Sequence, residues 1–180
     1  MRARIPAAAL AFAATACTPI LPRHAVPAGA EETGFRADPD AARLVMLEYA
    51  LARYFAKGER PWQVACAAAS RVDPADPSSQ PAPLSPDAEK KLQRRFPGLS
   101  PLQHCVRSGL GFNAADTGEG AAVFNVDEFV CETPIRCEGF AGYYANGPHG
   151  WRRYRADWRA GRWVLSVPPS NIVLTGTGGA

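Results

Sequence analysis

The residues best suited to chemistry crowd one stretch near the C-terminal end. Trp151-Arg-Arg-Tyr-Arg-Ala-Asp-Trp-Arg159, followed by Arg162-Trp163, sets five arginines among four aromatic residues. Guanidinium groups beside exposed rings can grip phosphate, carboxylate or the face of a sugar. Arg152, Arg153, Arg155 and Arg159 are therefore the candidate anion-binding residues. Strand alternation would send Trp158 and Trp163 inward and Arg153, Arg155 and Arg159 outward, which is equally the pattern of a solvated strand face over a core.

Other chemistry is thinly represented. Of the three histidines, His24 lies in the N-terminal leader, which leaves His104 and His149 for acid–base work. His104 adjoins Cys105, a thiol expected to be oxidised and so no nucleophile. His149 sits in the turn-like Asn146-Gly-Pro-His-Gly150. It could form a hydrolytic pair with Asp127 or Glu128, although nothing in the spacing brings them together. Ser70, Ser100 and Ser108 lie in no G-x-S-x-G elbow. The acidic residues Asp127, Glu128, Glu132 and Glu138 could bind a cation but lack a calcium-loop pattern. They could equally form a solvated face or partner the arginine hairpin. No catalytic residue, metal or cofactor is assigned.

Five cysteines are present: Cys17, Cys66, Cys105, Cys131 and Cys137. Cys17 belongs to the leader, and the other four allow three pairings. A bridge between Cys131 and Cys137, which bracket Glu-Thr-Pro-Ile-Arg, would staple a hairpin. Cys66 with Cys105 would then join a strand to the segment after a second helix. Zinc is the alternative, but C-x5-C is not its usual short spacing, and export favours disulfides.

The leader carries the expectation of export. Arg2 and Arg4 precede Ile5–Ala16, a 12-residue apolar stretch. That is shorter than the roughly 20 residues a membrane-spanning helix needs, and it suits the core of a signal peptide. Ala14-Thr-Ala-Cys17 resembles the lipobox of bacterial lipoproteins, with Ala14 where that family prefers Leu. The resemblance implies removal of residues 1–16, lipidation of Cys17, and a Pro/Ala-rich tether over 17–37 that anchors the domain to a membrane. The alternative is cleavage after Ala28-Gly29-Ala30, which would release a soluble exported protein. Either way the domain is expected in the cell envelope or periplasm, or beyond it.

Charge separates the leader from the rest. The whole chain is net +3, but residues 1–30 hold three arginines and no acid, so residues 31–180 carry seventeen charges of each sign. That balance argues against a nucleic-acid partner. It hides a polarity, because residues 31–147 are net −4 and residues 148–180 net +4.

The elements that must position these residues can be read in order. Asp38 can cap a helix that Pro39 begins, and Leu44, Leu47, Leu51, Tyr54 and Phe55 fall on one face. Gly58 and Pro61 stop it. Residues 62–70 read as a strand with Val64, Cys66 and Ala68 on one side. Five prolines make 73–86 a loop, and Ser85-Pro86 starts a second helix with Ala88, Leu92 and Phe96 on one face. Residues 107–120 are polar and Gly-rich and read as a loop. Extended segments follow at 122–131, 136–146, 150–159 and 162–167, the last two forming a hairpin around Ala160-Gly161. Residues 171–180 read as a flexible tail. The expected fold is a single α+β domain over 38–170: two helices packed on a curved antiparallel sheet of about four or five strands, in the order α-β-α-β-β-β-β.

Two family likenesses follow from these segments. Gly109-Leu-Gly-Phe112, with Arg107 nearby, resembles the carboxylate-binding loop of PDZ domains, but the turn-rich Asn113–Gly120 departs from the strand that should follow. More broadly, the helix at 38–57, the Cys-bearing strand, the second helix before Cys105, and the closing Tyr154–Val167 hairpin with Arg162-Trp163-Val164 resemble small exported bacterial proteins of unknown function and cystatin-like (NTF2-like) domains. That likeness implies a sheet wrapped by helices and no particular activity. The functional expectation is a non-enzymatic binding or structural domain of the envelope. Its partners would be a membrane through the lipid anchor, or an anionic envelope component. The alternative is a small hydrolase or isomerase with a His–carboxylate site in a cone-shaped sheet.

Overall fold

The computed structural model describes residues 37–71, 79–109, 111–146, 148–168 and 173–177, the backbone alone at 148, 149 and 173–177. The leader, Cys17, both cleavage sites and the tether lie outside the described residues.

Helix α1 spans Pro39–Phe55. The Asp38 side chain accepts from the Asp40 N–H at 2.9 Å, and Pro39 occupies a first-turn position where no N–H is needed. The buried side is Ala42, Met46, Leu47, Ala50, Leu51 and Tyr54, a stripe at helical spacing. Helix α2 spans Pro86–Arg95, capped by Ser85, whose hydroxyl accepts from the Ala88 N–H at 3.3 Å. Its Leu92 is fully buried and Phe96 follows it into the core. Glu48 of α1 ties the helices together through Lys91 at 2.9 Å and Arg95 at 2.5 Å.

The sheet contains β1 (Val64–Ala67), β2 (Cys105–Ser108), β3 (Gly111–Ala114), β4 (Gly120–Thr133), β5 (Arg136–Tyr144), β6 (Pro148–Arg159), β7 (Arg162–Ser166) and β8 (Val173–Thr177). Seven of these, β2 to β8, pair antiparallel; β1 runs parallel to β4. Residues 121–124 of β4 face β1, while 123–133 face β5, so those partners lie on opposite edges. By the same reasoning β7 (at 155–159) and β8 (at 148–152) share the β6 edge away from β5. Alternation splits the apolar residues between two faces. Ala65, Ala67, Ala122, Phe124, Val126, Ala141, Tyr154 and Ala156 pack with α1, while Cys66, Ala68, Cys105, Phe112, Ala121 and Val123 form a second cluster.

Both disulfides are present, Cys66–Cys105 and Cys131–Cys137. The first joins β1 to β2 with Cα atoms 6.3 Å apart. In strand order β1-β4-β3-β2, a flat sheet would separate them by about three spacings of ~4.8 Å. The β2–β3 hairpin is therefore folded back over β1. The second bridge links residues directly opposite each other in the β4–β5 ladder.

The α+β class and the two helices agree with expectation, and the sheet requires corrections. It has more strands than four or five, and it is open, not a curled sheet. One strand is parallel, and the order is not α-β-α-β-β-β-β. Residues 107–120 are not one loop: β2 and β3 form a hairpin there, with Gly109 in the left-handed region at φ 59°. Each arm is only four residues long, too short to show a period among polar residues. Residues 173–177 are not a free tail, because β8 pairs with the outer edge of β6 and occupies hydrogen-bonding groups that would otherwise stand open. The Ala160-Gly161 turn forms as expected, both residues having positive φ, as a tight hairpin of this kind requires.

Candidate functional site

The arginine-rich strand β6 presents different residues to the two faces of the sheet. Trp151, Arg153, Arg155 and Asp157 alternate on the side away from α1. Arg152, Tyr154 and Ala156 turn toward α1. These sides build two distinct charge arrangements.

On the outer side, cross-strand register sets Glu138 opposite Arg155 and Asp157 opposite Arg136. Glu138 is only 4% exposed. It accepts from Arg153 at 2.6 Å and from Arg155 Nε at 2.6 Å. Burial pushes its carboxyl up, but the hydrogen bond and charge of Arg155, then those of Arg153, outweigh burial and hold it below the usual range. Asp157 forms ion pairs with Arg136 at 2.9 Å and Arg159 at 3.1 Å. Three of the four candidate anion-binding residues, Arg153, Arg155 and Arg159, are thus ion-paired within the sheet.

On the α1 side lies a cleft of about 250 Å³ between the helix and strands β5 and β6. Ala50, Arg53, Tyr54 and Lys57 supply one wall, at the i, i+3, i+4, i+7 spacing of a single helical stripe. Ala141, Tyr143, Gly150, Arg152 and Tyr154 supply the other, over Phe124. The rings are packed against one another: Tyr54–Phe124 at 5.0 Å, Phe124–Tyr143 at 5.1 Å and Tyr54–Tyr143 at 5.6 Å between centroids. Gly142 permits the close approach of β6 here, because a Cβ would collide with the Gly150 carbonyl oxygen and the Trp151 backbone.

The polar groups of the cleft have assigned positions. The Tyr54 hydroxyl donates to the Trp62 carbonyl at 2.5 Å and accepts from the Trp62 N–H at 3.2 Å. Arg53 donates to the Tyr154 hydroxyl at 3.2 Å, which fixes its guanidinium near β6. Burial raises the pKa of Tyr54, against a smaller lowering by its backbone hydrogen bond, and burial also raises that of Tyr143. Both phenols are neutral at neutral pH. Arg53, Lys57 and Arg152 are the charged residues of the lining, and no carboxylate joins them. Among the described residues, none of the three is in an ion pair.

The remaining candidates are dispersed. His104 is exposed in a one-turn 3-10 helix, Leu102–His104. His149 has its backbone in β6. Asp127 pairs with Arg71 at 2.8 Å, and Glu128 sits in a β4 irregularity at φ 47°. No described group of three or more His, Cys, Asp or Glu could hold a metal ion. Gly109 and Arg107 belong to the β2–β3 hairpin, where Arg107 donates to the Ser79 carbonyl at 2.9 Å. No described helix is long and apolar enough to cross a membrane. Buried Asn125 has neither amide atom hydrogen-bonded, and nothing else in the structure explains it.

Sequence reasoning named Arg152 but missed Arg53, Lys57 and the cleft itself. The available signal was the pairing of two cations with Ala50 and Tyr54 on one stripe of the first helix. No family model matches the chain, and neither a curated protein nor a solved structure does.

Proposed function

We propose that this chain is an exported envelope domain that binds a small anionic ligand in the cleft between α1 and the sheet. One observation carries the reading: Arg53, Lys57 and Arg152 line an aromatic-floored cleft with no carboxylate among its described lining residues. Unneutralised cations around a partly enclosed apolar surface suit an anion with a flat or apolar body. The export part of the proposal rests on the leader, with the lipid-anchored form through Cys17 as its first version and cleavage after Ala30 as its second. The two disulfides support it, since such bonds persist in oxidising compartments. The likeness to cystatin-like domains is retained in this reading and is supported by α1 lying across β4, β5, β6 and β7.

Calorimetric titration of the purified protein with benzoate, benzenesulfonate, phenyl phosphate and the cation benzylamine tests the binding function. At least one anion should bind, benzylamine should not, and Arg152→Glu should abolish anion binding while the thermal transition is retained. Failure of every anion overturns the proposal. Mass analysis of the N-terminal peptide from native envelope fractions tests export; an unprocessed Met1 terminus would overturn that part.

A further inference from the structure

Resting on the anion-binding reading, we infer that the charged end of the ligand is a phosphate monoester on a ring-sized apolar body. The argument is one of matching number and shape. A carboxylate offers two oxygens and one charge, which satisfy a single guanidinium fork and leave two further cations unmatched. A phosphate monoester offers three terminal oxygens and close to two charges at neutral pH. The cleft supplies donors of the kinds that arrangement uses. Arg53 is steadied by the Tyr154 hydroxyl, Arg152 projects from the opposite wall, and Lys57 adds a compact point charge.

The body of the ligand follows from the rest of the lining. Half-buried Tyr143 gives a ring surface backed by the buried rings of Tyr54 and Phe124, while Ala50, Ala141 and Gly150 leave room beside it. A volume of about 250 Å³ suits one ring with its phosphate, and the open side of the cleft lets a larger molecule extend into solvent. Such a group could belong to a free aryl phosphate or to the exposed end of a larger envelope phosphate, and the chemistry of the headgroup is common to both.

Titratable groups in the cleft do not obscure a pH test. Facing the ligand are Arg53 and Tyr54 from α1, Lys57 from the segment just after it, Tyr143 from β5, and Arg152 and Tyr154 from β6. A window from pH 5 to 7.5 lies well below the ordinary titration range of guanidinium and ammonium groups as a class. A phosphate monoester loses its second proton with a pKa of about 6, inside that window.

The test compares phenyl phosphate, benzoate and inorganic phosphate by calorimetry at pH 5 and 7.5, with the intact protein. Phenyl phosphate should bind about tenfold or more tightly than benzoate at pH 7.5. Its affinity should rise several-fold from pH 5 to 7.5, whereas that of benzoate should not rise. Inorganic phosphate should bind more weakly than phenyl phosphate. Lys57→Gln, an exposed substitution, should narrow the advantage of phenyl phosphate over benzoate without altering the thermal transition. Benzoate binding as well as phenyl phosphate, or a flat pH response for phenyl phosphate, would overturn the phosphate assignment and leave the anion cleft standing. Inorganic phosphate binding as well as phenyl phosphate would overturn the ring-sized body. No binding by any anion defeats the cleft reading itself. Competition by vesicles containing phosphatidic acid, compared with vesicles of phosphatidylcholine alone, then separates a lipid-borne phosphate from a free one.

Discussion

The two sides of β6 use the same residue type for different ends. Toward the outside, Arg153, Arg155 and Arg159, joined by Arg136 of β5, surround Glu138 and Asp157. Toward α1, Arg152 stands with Arg53 and Lys57 around a cleft without a carboxylate. The first set holds two strands in register. The second leaves its charge available to something outside the chain. An arginine-rich strand therefore cannot be read as one patch; the face each guanidinium occupies decides whether the sheet itself supplies its carboxylate.

The contrast is broken most severely by reversing charge on the outer side. Arg153→Glu/Arg155→Glu would place two new carboxylates beside buried Glu138, and the loss should be on the order of 3–5 kcal/mol of stability, read as a lowered denaturant midpoint. Removing the shared carboxylate instead, with Glu138→Gln, should cost less, about 1–3 kcal/mol, because Arg153 and Arg155 reach solvent and can rehydrate. The matching change on the cleft side, Arg152→Glu, should move stability by no more than about 0.5 kcal/mol while abolishing anion binding. Equal destabilisation by Arg152→Glu and Glu138→Gln would erase the distinction.

Acid titration sharpens the same comparison. The folded-state pKa of Glu138 is below its unfolded value. Its contribution to stability is complete above the unfolded pKa of about 4.3 and is lost as pH falls through the folded value. Thermal melts of the parent should therefore lose stability below about pH 4 in a step that Glu138→Gln removes. Arg152→Glu should leave that step in place.

Much of the fold was written locally. Asp38-Pro39 and Ser85-Pro86 start helices because a cap and a proline act within one turn. Ala160-Gly161 fixes its hairpin for the same reason. What escaped was non-local or brief. The parallel pairing of β1 with β4 joins segments more than fifty residues apart, and no short-range pattern encodes it. The four-residue arms of β2 and β3 were masked by polar residues and glycines. For the site, the sequence offers the acidic residues as one candidate partner for the arginines, but which carboxylate meets which guanidinium depends on the β5–β6 register. The cleft depends on where α1 lies over the sheet, which residues 50–57 do not reveal alone. The odd occurrence of Glu138 between Cys137 and Gly139, in a strand that is apolar or aromatic after its first residue, Arg136, was the clearest clue to a buried ion pair.

The way β8 completes the outer edge of β6 bears on the order of assembly. Ribosomal synthesis delivers residues 173–177 after every other described element. Until they emerge, Gly150–Arg152 has a ladder on one side only and Pro148 and His149 have none, and this is the stretch that brings Gly150 and Arg152 to the cleft. The ion-paired half of β6 needs only β5 and β7, both earlier in the chain. The chain can thus close its ion-paired half while the cleft-lining half still waits, so on the proposed binding role competence would arise late in the maturation of each molecule.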